Sequence, residues 1–224
     1  MPRKRVAVLI SGRGSNMTAL IEAAKAEDYP ADICVVMSNR PDAAGLAHAT
    51  AAGIATVTID HAVFGKNREA FERAMQRDLQ SRSIDLVCLA GFMRLLTPWL
   101  VRQWLGRMLN IHPALLPAFK GLHTHEAALQ TGVKIHGATV HFVVPEMDSG
   151  PIICQGAVPV HDADTPRTLA ARVLAVEHRL YPLALRLVAE GRVRIESGRC
   201  FVAGMAGGDG TMIVPSAEGC EPSR

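Results

Sequence analysis

Aromatic side chains are scarce in this sequence, at 4% of 224 residues. That leaves little material for the stacking platforms on which nucleic-acid bases are held, so no nucleic-acid partner is expected. Paired cysteines are missing too. The five present, Cys34, Cys88, Cys154, Cys200 and Cys220, are odd in number and form no C-x-x-C pair, and the first three sit in apolar runs. They read as reduced core residues, not as a disulfide framework. Neither sign of charge dominates: 24 Lys and Arg against 21 Asp and Glu leave a net +3, and the one basic cluster, Arg3-Lys4-Arg5, reads as a solvated terminus. The apolar run behind it, Val6–Ile10, is too short for a signal segment or a membrane span. These absences together lead us to expect a cytoplasmic protein without a membrane partner. There is no internal repeat.

What the chain does have is alternation. Short apolar runs at Val6–Ile10, Ile33–Met37, Ala55–Ile59 and Leu86–Ala90 are separated by stretches of helical periodicity, the pattern of βαβ units around a parallel sheet. Met17, Leu20, Ile21 and Ala24 follow the i, i+3, i+4, i+7 spacing of one apolar helix face. Further helices are expected near Asp42–Ala52, Arg68–Gln80, Pro98–Trp104, Glu126–Gln130 and Pro166–Glu190, and further strands at Met108–Ile111, within Val133–Val144 and at Ile152–Val160. The length and ordinary composition predict one domain over residues 1–203, and the glycine-rich end, 204–224, reads as a weakly ordered tail. The expected fold class is α/β: a Rossmann-like, open, mostly parallel twisted sheet with helices on both faces.

Three segments carry chemistry. The first, Ile10-Ser11-Gly12-Arg13-Gly14-Ser15-Asn16, runs from a strand through two glycines to a helix start, where backbone N–H groups favour an anion. It lacks the third glycine of the dinucleotide fingerprint and the Gly-Lys-Ser/Thr of a Walker loop. A tight turn with Ser15 or Asn16 as an ordinary N-cap explains it equally well. In the second, Leu109-Asn110-Ile111-His112-Pro113, Asn110 and His112 are two apart and so share a strand face. They lie where Pro113 ends the strand, the edge at which ligands gather in α/β sheets. The third is Gly137-Ala138-Thr139-Val140-His141-Phe142, an alternating strand that leads to Asp148-Ser149-Gly150. A carboxylate such as Asp148 beside an imidazole favours the imidazolium, although capping a turn with Ser149 and Gly150 is the commoner fate of Asp-Ser-Gly taken alone.

These segments, with Leu89–Leu96 (LAGFMRLL) and Gly121–His125 (GLHTH), occur in an order that resembles the phosphoribosylglycinamide formyltransferase family from about Arg5 to Gly191. The resemblance implies transfer of a formyl group from 10-formyltetrahydrofolate to the amine of 5-phosphoribosylglycinamide in purine biosynthesis. The products would be formylglycinamide ribonucleotide and tetrahydrofolate, and no metal would take part. It assigns Asn110, His112 and Asp148 to catalysis, Gly14, Ser15, Asn16 and Glu177 to the ribotide, and Arg68, Met93, Arg94, Leu95, Leu96 and Asn110 to the folate. Partners would be small molecules, with a monomer or homodimer as the assembly. The chain departs from the family's usual pattern at Lys120 and Ser149.

Other readings compete. A formyltetrahydrofolate hydrolase or methionyl-tRNA formyltransferase would share the catalytic pattern, but each would bring an additional domain. A non-catalytic nucleotide- or folate-binding module would leave Asn110, His112 and Asp148 idle. A zinc enzyme could draw on His112, His123, His125, His136 and His141, yet His123-Thr124-His125 lacks helical ligand spacing and has no cysteine beside it.

Overall fold

A computed structural model describes residues 2–204. The segment expected to form a weakly ordered tail lies outside the described residues, apart from its first position. The chain runs β1 (Lys4–Ile10), α1 (Ser15–Ala24), β2 (Ala31–Ser38), α2 (Gly45–Ala51), β3 (Ala55–Thr58), a 3-10 turn (His61–Phe64), α3 (Arg68–Ser81), β4 (Leu86–Leu89), α4 (Pro98–Gln103) and β5 (Met108–His112). It continues with α5 (Thr124–Thr131), β6 (Ile135–Phe142), β7 (Ile152–Pro159), α6 (Pro166–Ala189), β8 (Val193–Glu196) and β9 (Arg199–Val202).

Seven strands form one sheet in the order β3-β2-β1-β4-β5-β6-β7. Pairing is parallel from β3 through β5 and antiparallel from β5 to β7. The chain winds outward from β1 in one direction and from β4 in the other, so the crevice between the ends of β1 and β4 is the topological switch point where α/β sheets bind ligands.

Each core strand is buried on both sides because helices cover both faces. Val6, Val8 and Ile10 of β1 pack with Met17, Leu20 and Tyr181, while Ala7 and Leu9 pack on the other side with Phe71, Met75 and Leu100. Long apolar runs, unlike strict alternation, are the sequence form of such strands. Pro166 stands in the first turn of α6, and Thr165 and Thr168 close a reciprocal capping box there. The Cys88 and Cys154 thiols are pushed up to about 12 by burial, which leaves them protonated and inert.

Two expectations need correction. The alternating strand expected within Val133–Val144 is β6, but its alternation does not separate a buried from an exposed face: every residue from His136 to Phe142 is buried. Its second face is covered by the loops that build the site described below. The hairpin β8–β9 was not anticipated either. It is a separate two-stranded ribbon turning at Ser197 and Gly198, both with positive φ.

Candidate active site

Gly14 is the N-cap of α1, in the left-handed region at φ 74°, and no side chain caps the helix. The capping role open to Ser15 or Asn16 is therefore not taken, since both are already helical, and the first intrahelical bond is Thr18 N–H to the Gly14 carbonyl at 2.9 Å. The N–H groups of the preceding turn have no intrahelical acceptor. A Cβ on Gly14 would stand 3.2 Å from the Gly45 Cα and 3.1 Å from the Met17 Cε, so the loop closes tightly against α2. Beside this helix start, Arg13, Ser15, Thr18, His48 and His178 line an open groove. Asn16 turns inward, its Nδ2 donating to Glu177 Oε2 of α6 at 2.6 Å. Burial pushes the Glu177 carboxyl up, opposed by this hydrogen bond and then by the charge of His112.

The second group forms where β5 meets β6. Asn110 lies opposite His141, and His112 opposite Thr139, so four polar side chains share one face of the sheet. A register shift between Val140 and His141 marks a local irregularity where β6 turns its histidine toward the site. His141 Nδ1–H donates to the Phe142 carbonyl at 3.0 Å, which leaves Nε2 to accept from Asn110 Nδ2 at 3.2 Å. Burial holds the His141 imidazole below its ordinary value, consistent with this neutral form. One N–H of the Asn110 amide is thereby fixed on His141. The other remains available.

The His112 ring is anchored from the opposite side, Nε2–H donating to the Phe119 carbonyl at 2.8 Å. Nδ1 is thus the nitrogen left for chemistry, and Asp148 Oδ2 stands 3.6 Å from it, within ion-pair reach but longer than a hydrogen bond. Asp148 Oδ1 is 3.9 Å from His141 Nε2, and Oδ2 also accepts the Gly121 N–H at 2.9 Å. The loop bearing Asp148 folds back so closely that a Cβ on Gly150 would lie 1.7 Å from the Phe142 carbonyl oxygen. Lys120 and Ser149, the two departures from the family's usual pattern, are bonded to each other: Lys120 Nζ donates to Ser149 Oγ at 2.6 Å. Two contacts therefore tie the loop after β5 to the loop after β6.

The third group is the segment after β4. Arg68 of α3 donates to the Leu95 carbonyl, and buried Glu72 accepts the Thr97 N–H at 2.6 Å and also its hydroxyl. Met93 and Leu95 are exposed, while Arg94 and Leu96 are half-buried. Together with Leu122 and Met147, Met93 and Leu95 make four large exposed apolar side chains on the three loops after β4, β5 and β6. Among these four, Met147 reaches across to the loop after β5, its Cε 3.8 Å from where a Cβ on Gly121 would stand, beside Leu122. Of the histidines on which a zinc site could draw, the His123 side chain is 80% exposed, and among the described residues no group of three or more His, Cys, Asp or Glu is placed to hold a metal ion.

A family model described as formyl transferase matches residues 4–185. The chain belongs to the formyl transferase family. Its relatives include the phosphoribosylglycinamide formyltransferase of Escherichia coli strain K12, 44% identical over 89% of this chain and 93% of that protein. The trifunctional purine biosynthetic protein adenosine-3 of Homo sapiens is 52% identical over 89% of this chain. The chain spans about a fifth of that protein's length, the match covering 20% of it. Among solved structures, glycinamide ribonucleotide transformylase 1 from Symbiobacterium toebii superimposes with a TM-score of 0.86 at 47% identity, covering 89% of this chain and 94% of that one. The α/β formyl transferase fold is thereby shown. No helix among the described residues is long and apolar enough to cross a membrane.

Sequence reasoning missed His141 as the partner that orients Asn110, the Phe119 carbonyl that anchors His112, and Glu72 beneath the segment after β4. His141 did carry a signal, sharing a strand face with Thr139, but its partner depends on the β5–β6 register. Beneath Phe119 lies His136, 1% exposed, its ring edge-on to Phe119 and His125 at centroid distances of 5.7 and 5.3 Å. Burial, then the charge of His125, lowers the His136 imidazole from 6.5 to about 4. The unfolded chain therefore binds a proton below 6.5 that the native state refuses until about 4. Its contribution is complete above that window and is lost as pH falls through it. We expect Tm to drop on acidification over this range, and His136→Phe, which keeps a ring, to flatten the drop; a slope unchanged in that variant would assign the acid sensitivity to other groups.

Proposed function

We propose that the chain transfers the formyl group of 10-formyltetrahydrofolate to the amine of 5-phosphoribosylglycinamide, giving formylglycinamide ribonucleotide and tetrahydrofolate. The observation that carries this reading is an oriented amide and an anchored imidazole on one sheet face, with a carboxylate from the loop after β6 beside the ring. Glycinamide attack forms the new C–N bond and pushes the formyl carbonyl electrons onto oxygen. The free N–H of Asn110 and the protonated Nδ1 of His112 are donors for that oxyanion. Collapse then breaks the bond to the folate nitrogen. The attacking amine must lose a proton and the departing nitrogen must gain one, and His112 Nδ1, with Asp148 beside it, is the group in reach for that exchange, directly or through one water.

Binding follows the same geometry. The uncapped start of α1 at Gly14, Ser15 and Asn16 suits the ribotide phosphate, and Glu177, held by Asn16, is the acidic partner for the rest of that substrate. The apolar side chains Met93 and Leu95, with Arg94 and Leu96, suit the flat pterin. No metal is invoked. Small molecules are the partners, the cytoplasm the proposed site of action, and a monomer or homodimer the assembly.

The test is formyl transfer to the ribotide, measured beside hydrolysis of the formyl folate without acceptor. Transfer much faster than hydrolysis is expected; hydrolysis indifferent to the ribotide would replace this reading by a hydrolase. Arg68 supplies a smaller prediction. Its guanidinium, already on the Leu95 carbonyl, would meet the anionic glutamyl tail of the folate. Arg68→Ala should cost about 1 kcal/mol of folate binding at low salt and less at high salt. Unchanged affinity at low ionic strength would remove Arg68 from the site.

A further inference from the structure

We propose that Ser11 is a positioning residue that couples the loop receiving the ribotide phosphate to the segment receiving the folate. It rests on the functional reading above only in naming which ligand each segment takes. Ser11 follows β1 directly and precedes Gly12–Asn16, and it is 6% exposed. Its hydroxyl donates to Asn39 Oδ1 at 2.6 Å and accepts the Met93 N–H at 2.7 Å, while its own N–H donates to the Gly91 carbonyl at 3.1 Å. Met93 thus shows its side chain to solvent and commits its backbone to the end of β1.

The node extends one strand further. Asn39, 2% exposed and just beyond β2, accepts at its carbonyl both the His61 backbone N–H at 3.2 Å and the His61 Nδ1–H at 2.8 Å. Two donors point the same way, Met93 N–H to Ser11 and Ser11 O–H to Asn39, and His61 closes onto the Asn39 backbone through its Nδ1–H. Such a chain is mutually reinforcing in a low-dielectric interior, and a break at one link leaves buried polar groups on both sides unpaired. On the other flank, Gly45 N–H donates to the Gly12 carbonyl at 3.0 Å, which fixes the phosphate loop against α2.

A ligand seated on the segment after β4 acts on Ser11 through the Met93 N–H already bonded to it, and Ser11 sets the direction in which Gly12–Asn16 leave the sheet. By linkage, the phosphate-bearing ligand then returns the same factor to folate binding. Ser11→Ala removes both hydroxyl bonds, from the Met93 N–H and to Asn39 Oδ1, and keeps the backbone bond to the Gly91 carbonyl. It leaves the backbone amides of the phosphate loop and the apolar slot in place. Ser11 touches neither ligand in this account.

Calorimetry with glycinamide ribotide and tetrahydrofolate, the product folate that carries no formyl group, measures the coupling without turnover. In the unmodified protein each ligand should tighten the other by about fivefold or more, the lower end of ordinary coupling. In Ser11→Ala that factor should fall to about one, and Ser11→Thr, which keeps the hydroxyl, should restore part of it. Asn39→Ala, which frees the hydroxyl to rotate, should reduce it as well and serves if Ser11→Ala does not fold. A merely structural role would weaken both affinities and leave their coupling untouched. Coupling unchanged in these variants, or absent from the unmodified protein although both ligands bind, would overturn the proposal; failure of either ligand to bind the unmodified protein would instead overturn the functional reading.

Discussion

Asp148→Asn should lower the turnover number of formyl transfer by about 100- to 10,000-fold, the range spanned by loss of a positioned acid–base group. The substitution keeps the shape of the side chain and an oxygen that can still accept the Gly121 N–H, now 2.9 Å from Oδ2. What disappears is the negative charge 3.6 Å from His112 Nδ1. Because Nε2–H is committed to the Phe119 carbonyl, a proton on Nδ1 then has no counter-charge at the one position where it is needed. Asn110, His141 and the binding loops are untouched, so the residual rate should stay well above that of the reaction in water. Steady-state kinetics at saturating concentrations of both substrates check this. A turnover number within a few-fold of the unmodified value would mean that Asp148 holds the loop and nothing more.

Gly14→Val should raise the Michaelis constant for the ribotide by about 100-fold while moving that for the folate only several-fold, because the loss falls on the binding of one substrate. Two effects act together. At φ 74° a β-branched residue is strained, and its Cβ would crowd the Gly45 Cα at 3.2 Å. The turn therefore has to move, and the N–H groups at the start of α1 lose their common aim. Strain of this kind costs about 1–3 kcal/mol, so thermal stability must be read alongside. Equal loss for both substrates would point to a general folding defect and away from a phosphate site.

Much of this was legible before the structure because it depends on local chemistry. Apolar runs spaced by helical periodicity specify a wound parallel sheet, and Asn110 and His112, two apart before Pro113, declare a shared face at a strand end. The phosphate loop was half legible. Two glycines before Ser15 announce a turn, but only the backbone shows that Gly14 takes the N-cap and leaves the helix start uncapped. Contacts that depend on register or on distant loops could not be read. His141 meets Asn110 only because β6 runs antiparallel to β5 in one register, and a slip of one residue would turn it away. Glu72 looks like a solvated helix residue until the chain beyond β4 folds over it. The β8–β9 hairpin did leave a signal, Ser197-Gly198 between short alternating runs, but its strands are four residues each and half-exposed, too short for periodicity to stand out.

The central claim is that His112 and Asp148 act as one unit in formyl transfer, and a double-mutant cycle tests it most directly. Turnover is measured for the unmodified protein, His112→Ala, Asp148→Asn and the pair, with thermal stability confirming that all four are folded. His112→Ala should be at least as damaging as Asp148→Asn, because Asp148 acts through the imidazole. The double variant should then fall little below His112→Ala alone, since a carboxylate has nothing to hold once the ring is gone. Losses that multiply, with the double variant slower than His112→Ala by the full factor seen for Asp148→Asn, would contradict the account.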